Sequence, residues 1–181
     1  MFLYIFITGG IAAVLVVLGY NRGVSYRNYV QEAFSTMDVY LKKRWDLIPN
    51  LIETVKNYTV HEKNLLTDLA ELRTRGYNDL SDAEKINTNL QIGKVLPQII
   101  AVVENYPELK ANQNYVQLME QMSSVEDEIA DARKYYNGTV REYNTFLDLF
   151  PTSVIGKIFG MKHAALFEIT SQQRENIIIE G

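Results

Sequence analysis

Two long runs of apolar residues at helical spacing decide most of what this chain can become. The first reads Val30, Phe34, Met37, Leu41, Trp45, Ile48, Ile52 and Val55, in steps of 4, 3, 4, 4, 3, 4 and 3. The second reads Tyr115, Leu118, Met122, Val125, Ile129, Ala132, Tyr136, Val140, Tyr143, Leu147 and Phe150. Side chains three and four apart stack on one side of a helix, so each run is one continuous buried face. Each holds a single 4-4 step, which locally unwinds a supercoil and favours straighter helices. No alternating pattern of comparable length competes. The predicted fold is all-α.

Punctuation between the runs predicts where helices stop. Gly76 and Asn78 follow Arg73 and Arg75, cations suited to the negative end of a helix, so the first body helix is expected over 24–75. Ser81-Asp82-Ala83-Glu84 has the form of a capping box that opens the next helix. Asn105-Tyr106-Pro107-Glu108 breaks the chain before a last helix over 108–150, and Phe150-Pro151 ends it. At the usual rise per residue the two long helices would measure about 78 Å and about 64 Å. If 81–105 were one helix, the last would run parallel to the first and leave its stripe bare. A break near Gly93, with Pro97 in the first turn of a new helix, restores up-down-up-down order. The expectation is an elongated antiparallel bundle with two long helices, shorter ones between them and a short C-terminal tail.

The first twenty residues, MFLYIFITGGIAAVLVVLGY, carry no charged side chain, and the first charge is Arg22. In a helix this run covers roughly 30 Å, the thickness of a bilayer hydrocarbon core. It lacks the positive n-region and small-residue cleavage site of a secretory signal, and a chain without Cys has no lipoprotein signal. A retained transmembrane anchor is predicted over 1–21, followed by a bundle over 22–150 and an amphipathic tail over 151–181. Gly9-Gly10 is too common a pair to mark a helix contact by itself. Arg22, Arg27, Lys42, Lys43 and Arg44 all follow the span and none precedes it, which predicts the N-terminus outside and the bundle cytoplasmic. The alternative is a periplasmic bundle.

Residues 42–50, KKRWDLIPN, gather three cations, the lone Trp and a proline inside the first stripe. Pro49 removes one helical hydrogen bond and crowds the Trp45 carbonyl, so a kink is expected there. Lys42, Lys43 and Arg44 are read as a mostly outward cationic rim, a candidate contact for a partner or for lipid. In the tail, Val154, Ile155, Ile158, Phe159 and Met161 form an apolar patch beside Lys157 and Lys162. Lys157, Lys162, Ile158 and Phe159 are the candidate membrane-surface residues; the plainer reading is that the patch covers the end of the bundle. Ile177-Ile178-Ile179 is too short to anchor but could pair with a neighbouring subunit.

Catalytic chemistry finds little to stand on. His61 and His163 are the only histidines, and His61-Glu62 lacks the second His four residues on that a zincin helix needs. Glu126, Asp127, Glu128 and Asp131 point to different sides of a helix, with no paired-carboxylate geometry. Bundle di-metal sites use Glu-x-x-His pairs, which this chain lacks. The absence of Cys removes disulfides and thiol catalysis, and a net charge of −4 with a pI near 5.3 offers no basic field for nucleic acid. Tyr136-Asn137 and Tyr143-Asn144 lie one heptad apart, with the tyrosines on the stripe and the asparagines beside it, placed to satisfy the buried hydroxyls. No cofactor, metal or small-molecule site is expected.

The segment YNRGVSYRNYVQEAFSTMDVYLKKRWDLIPNLIETVKNYTVHE resembles the opening signature of the LemA family. The resemblance continues in AVVENYPELKANQNYVQLMEQMSSVEDEIADARKYYNGTVREYN, in Phe150-Pro151 and in Phe167-Glu168, and is looser from Arg75 to Leu96. It implies a bacterial single-pass protein, hence an inner-membrane location, with a helical-bundle body and no established enzymatic activity. Two functional classes follow: a self-associating membrane scaffold, with a homo-oligomer as its expected state, or an adaptor that binds another membrane protein. An enzyme is not expected, because no nucleophile, positioned base or ligand set is gathered in the sequence.

Overall fold

The computed structural model describes residues 1–59 and 63–167. Its helices are α1 (Phe2–Lys56), α2 (Lys63–Glu71), α3 (Asp82–Val103), α4 (Pro107–Lys110), α5 (Gln113–Asp148) and α6 (Thr152–Ile158), with one 3₁₀ turn at Tyr77–Asp79. Among the described residues there is no strand, so the chain is all-α. These residues group into two compact units: one of 1–36 with 132–167, the other of 37–131. Helices α1 and α5 contribute to both.

The stripes behave as their spacing requires. Phe34, Met37, Leu41, Trp45, Ile48 and Val55 are buried on α1, with Val30 and Ile52 half-buried. On α5 every stripe member from Tyr115 to Leu147 is buried, while Phe150, past the end of the helix, is 84% exposed. Each fully buried aliphatic side chain contributes about 1.5–3 kcal/mol relative to exposure. The stripes therefore outweigh the modest helix propensities of their Val, Ile and Tyr residues.

In the 37–131 unit the chain makes four passes. Asn112 Nδ2 donates to the Tyr58 hydroxyl (2.8 Å), and Arg44 Nη1 to Glu126 Oε1 (2.6 Å), so α5 runs antiparallel to α1. Lys85 reaches Asp38 (2.9 Å), and Asn89 receives Arg44 (3.1 Å from Nε to Oδ1), so α3 runs parallel to α1. Between them the chain has returned to the level of Trp45, whose ring lies 5.4 Å from that of Tyr77. The up-down-up-down order stands, but the breaks fall elsewhere than expected. The first helix ends at Lys56 and not near 75: Tyr58 N–H, Thr59 N–H and the Thr59 hydroxyl all bond to the Val55 carbonyl, at 3.0 Å each. The stripe itself stops at Val55, and beyond it the expectation rests only on the stop signals at Arg73, Arg75, Gly76 and Asn78.

No break occurs near Gly93. Helix α3 is continuous through Gly93 and Pro97, because Ile92, Leu96, Ile99 and Val103 form one buried face across both. That burial exceeds the cost of the hydrogen bond Pro97 removes. The Ser81 capping box is present, with Glu84 N–H bonding Ser81 Oγ (3.4 Å) and Ser81 N–H bonding Glu84 Oε2 (2.8 Å). The last long helix begins at Gln113 and not at 108, because the Asn112 carboxamide caps it, accepting from Asn114 N–H (2.9 Å) and Tyr115 N–H (3.2 Å). Helix α1 is continuous through Pro49.

Candidate membrane-proximal site

The 1–36 and 132–167 unit holds the residues with the most distinctive placement. The start of α1 is, among the described residues, the one helical stretch long and apolar enough to cross a membrane, and large apolar side chains along it, such as Phe6, Ile11, Leu15 and Leu18, are exposed. It continues into the bundle part of α1 with no intervening loop. Where the uncharged run ends, α6 packs on α1. A Cβ at Gly23 would meet Met161 Sδ at 2.8 Å and Phe146 at 2.9 Å, and one at Gly19 would strike Ile155 Cδ1. A Cβ at Gly23 would force the Phe146 ring to shift, whereas at Gly19 a shift of the Ile155 terminal methyl would make room. Tyr20 and Phe159 complete the contact, with ring centroids 4.6 Å apart.

The chain beyond α6 is held to α5 by two asparagines. Asn144 accepts from the backbone N–H of Ala164 (2.9 Å) and donates to the carbonyl of that residue (3.0 Å). Asn137 does the same with Phe167, at 2.8 Å and 3.0 Å. Seven helical residues rise about 10.5 Å, and three residues of stretched chain cover about 10 Å, so the heptad spacing matches the spacing of the backbone groups. Tyr136 donates its hydroxyl to the Ala165 carbonyl between them (2.8 Å). This corrects the expectation that the asparagines serve the tyrosines: both asparagines and Tyr136 bind tail backbone. The Tyr-Asn heptad repeat was the visible signal, but its partner lay in a segment with no pattern of its own. Burial pushes the Tyr143 hydroxyl above its usual pKa.

The tail residues singled out by sequence divide between inside and outside. Ile155 is buried and Met161 half-buried, whereas Val154, Ile158 (68%) and Phe159 (48%) are exposed, with Lys157 and Lys162 exposed beside them. His163 pairs on the surface with Asp148 (2.9 Å). His61 and Ile177-Ile178-Ile179 lie outside the described residues.

The cationic rim needs a correction in the 37–131 unit. Lys42 and Lys43 are exposed, the first paired with Asp46 (2.6 Å) and the second 5.1 Å from the ring centroid of Tyr40. Arg44 is 3% exposed and offers no surface to partner or lipid. It stands three residues after Leu41 and four before Ile48, on the stripe itself. Its guanidinium is satisfied by the Asn89 carboxamide and carbonyl and by Glu126. A second polar node lies nearby, where Asp38 accepts from Tyr77 (2.6 Å) and from Lys85 (2.9 Å). Burial, then the Asp38 carboxylate, pushes the Tyr77 hydroxyl far above its usual pKa. These groups are locked in mutual pairs inside a bundle, which suits register better than chemistry. Among the described residues no three His, Asp or Glu converge as a metal site requires.

Taken together, the fold defines an all-α bundle protein with one candidate membrane-spanning helix that is continuous with the bundle. The family model for "LemA family" matches residues 33–180, and the chain belongs to that family. It is 23% identical to "Protein LemA" of Metamycoplasma hominis, over 97% of this chain and 80% of that protein. It is also 25% identical to "Magnetosome protein MamQ 2" of Paramagnetospirillum magneticum, over 84% of this chain. The MamQ protein of Magnetospirillum gryphiswaldense is 23% identical over a similar share, 84%. The chain spans 66% and 65% of the lengths of these two MamQ proteins, just under two thirds. None of these names is that of an enzyme.

Proposed function

We propose that this protein is a membrane-anchored, non-catalytic scaffold that self-associates at a bacterial inner membrane, with its N-terminus outside and its bundle in the cytoplasm. Anchoring is supported by α1, which carries the apolar run and the first stripe in one uninterrupted helix, so the bundle is joined to the span without a flexible linker. The observation that carries self-association is a pair of tyrosines. Tyr29 is 53% and Tyr135 is 55% exposed, and both line one shallow surface cleft with Lys134 and Glu142. Tyrosine is enriched at protein interfaces, where a rigid ring buries much area at small entropic cost, and Lys134 and Glu142 would lie at the polar rim. The exposed Val154, Ile158 and Phe159 with Lys157 and Lys162 are proposed to rest on the membrane surface, where α6 meets the end of the span. Relatives named as magnetosome proteins are compatible with a role built on association at a membrane.

Light scattering of the detergent-extracted full-length protein tests the reading. A uniform species of several chains is the expected result. A monomer would reject self-association and leave the adaptor role, in which the same surface binds a different protein. Orientation is checked separately by alkaline phosphatase fused after Gly181: activity would place the bundle on the periplasmic side.

A further inference from the structure

A cleft of about 560 Å³ opens between α1 and α5, lined by Arg22, Tyr26, Arg141, Glu142, Leu149 and Phe150 among others. Arg22 is the first charged residue after the uncharged run, within one helical turn of its end, which sets the cleft at the depth of lipid headgroups if that run spans. The Arg22 guanidinium is steered by Tyr26, whose hydroxyl accepts from Nη2 (3.3 Å) and whose ring centroid lies 5.6 Å away. Arg141 is exposed, and among the described residues neither arginine is in an ion pair. Against these two cations the cleft holds one carboxylate, Glu142. Its apolar wall is unusually bare, with Leu149 59% and Phe150 84% exposed.

We infer that this cleft binds the phosphodiester of one anionic phospholipid. Two guanidinium groups present fork-like donors to phosphate oxygens, and one bound monoanion neutralises the cleft. The Leu149 and Phe150 wall suits the glycerol and upper acyl carbons that a lipid carries and a free phosphate lacks. The inference rests on reading residues 1–21 as a span and does not require self-association. It differs from the Lys157 and Lys162 contact in being a stoichiometric site between two helices.

Native mass spectrometry of the full-length protein, released from detergent with added phosphatidylglycerol or phosphatidylcholine, tests it. One tightly held phosphatidylglycerol per chain is expected, in preference to phosphatidylcholine, with Arg22→Gln and Arg141→Gln each weakening retention roughly fivefold. Lys94→Gln, an exposed cation on α3 outside the cleft, should leave retention unchanged. Equal retention of the two lipids, indifference to both arginine variants, or an equal loss with Lys94→Gln would overturn the site. Displacement of the lipid by glycerol phosphate at similar concentration would show an anion site that ignores the apolar wall, and would also overturn it. The same spectra report the number of chains, so an oligomer without lipid preference refutes the cleft and leaves the scaffold reading intact.

Discussion

Asn137 and Asn144 each satisfy both backbone groups of one tail residue, so losing either carboxamide strands two polar groups at once. Asn144→Ala should cost about 1–3 kcal/mol, and limited proteolysis should then cut near residues 159–167 while the 37–131 unit survives. Unchanged protection of the tail would mean that packing of Met161 and Ala164 holds it without the asparagines. Arg44 is the other residue whose environment sets a large effect. Arg44→Ala leaves the Asn89 carboxamide and carbonyl facing a void and should destabilise by about 3–5 kcal/mol, whereas Lys42→Ala and Lys43→Ala should cost less than about 1 kcal/mol. Glu84 supplies a pH dependence. Its hydrogen bonds to the Ser81 hydroxyl and backbone, and then to Arg75, lower its pKa from 4.5 to about 2. The native state thus holds the proton more weakly than the unfolded chain. The contribution is complete above the unfolded value and is lost as pH falls from about 5 towards 2. Thermal unfolding followed across that window should show the loss in the parent protein, and Glu84→Gln should remove that part of the slope.

At the scale of elements, the features legible in sequence were those with a local cause. The two stripes, the Ser81 capping box and the Pro107 stop depend on neighbours in the chain, and each appears where spacing or capping chemistry required it. The missed features depend on partners far away. Pro97 and Gly93 read as a breakpoint until Ile92 and Leu96 on one side and Ile99 and Val103 on the other are seen buried on a single face. Arg44 read as part of a charge run because Asn89 and Glu126, 45 and 82 residues away, are invisible to local pattern. The tail clamp had half a signal, the Tyr-Asn heptad, with its other half in unpatterned backbone. Continuity through Pro49 leads to a direct expectation. Pro49→Ala should preserve the helix content and oligomer size and shift stability by no more than about 1–2 kcal/mol. A large change in hydrodynamic radius would mean that the proline marks a turn between separate helices.

For the whole molecule, attachment and association can be separated. Removing residues 1–17 spares Gly19, Tyr20 and Gly23, the α1 side of the α6 contact, and should release a helical protein into the high-speed supernatant at high salt. At low salt the released protein should still bind anionic vesicles, and Lys157→Glu with Lys162→Glu should weaken that binding, since each cation near such a surface contributes about 1 kcal/mol. Complete pelleting of the truncated chain at high salt would show that the span is not the principal attachment. Self-association is the central claim, and photocrosslinking in intact membranes tests it most directly. With a photoreactive phenylalanine analogue in place of Tyr29 or Tyr135, irradiation should yield adducts at multiples of the 20.8 kDa chain that contain only this protein. Adducts exclusively with another membrane protein, or none at either position, would contradict it.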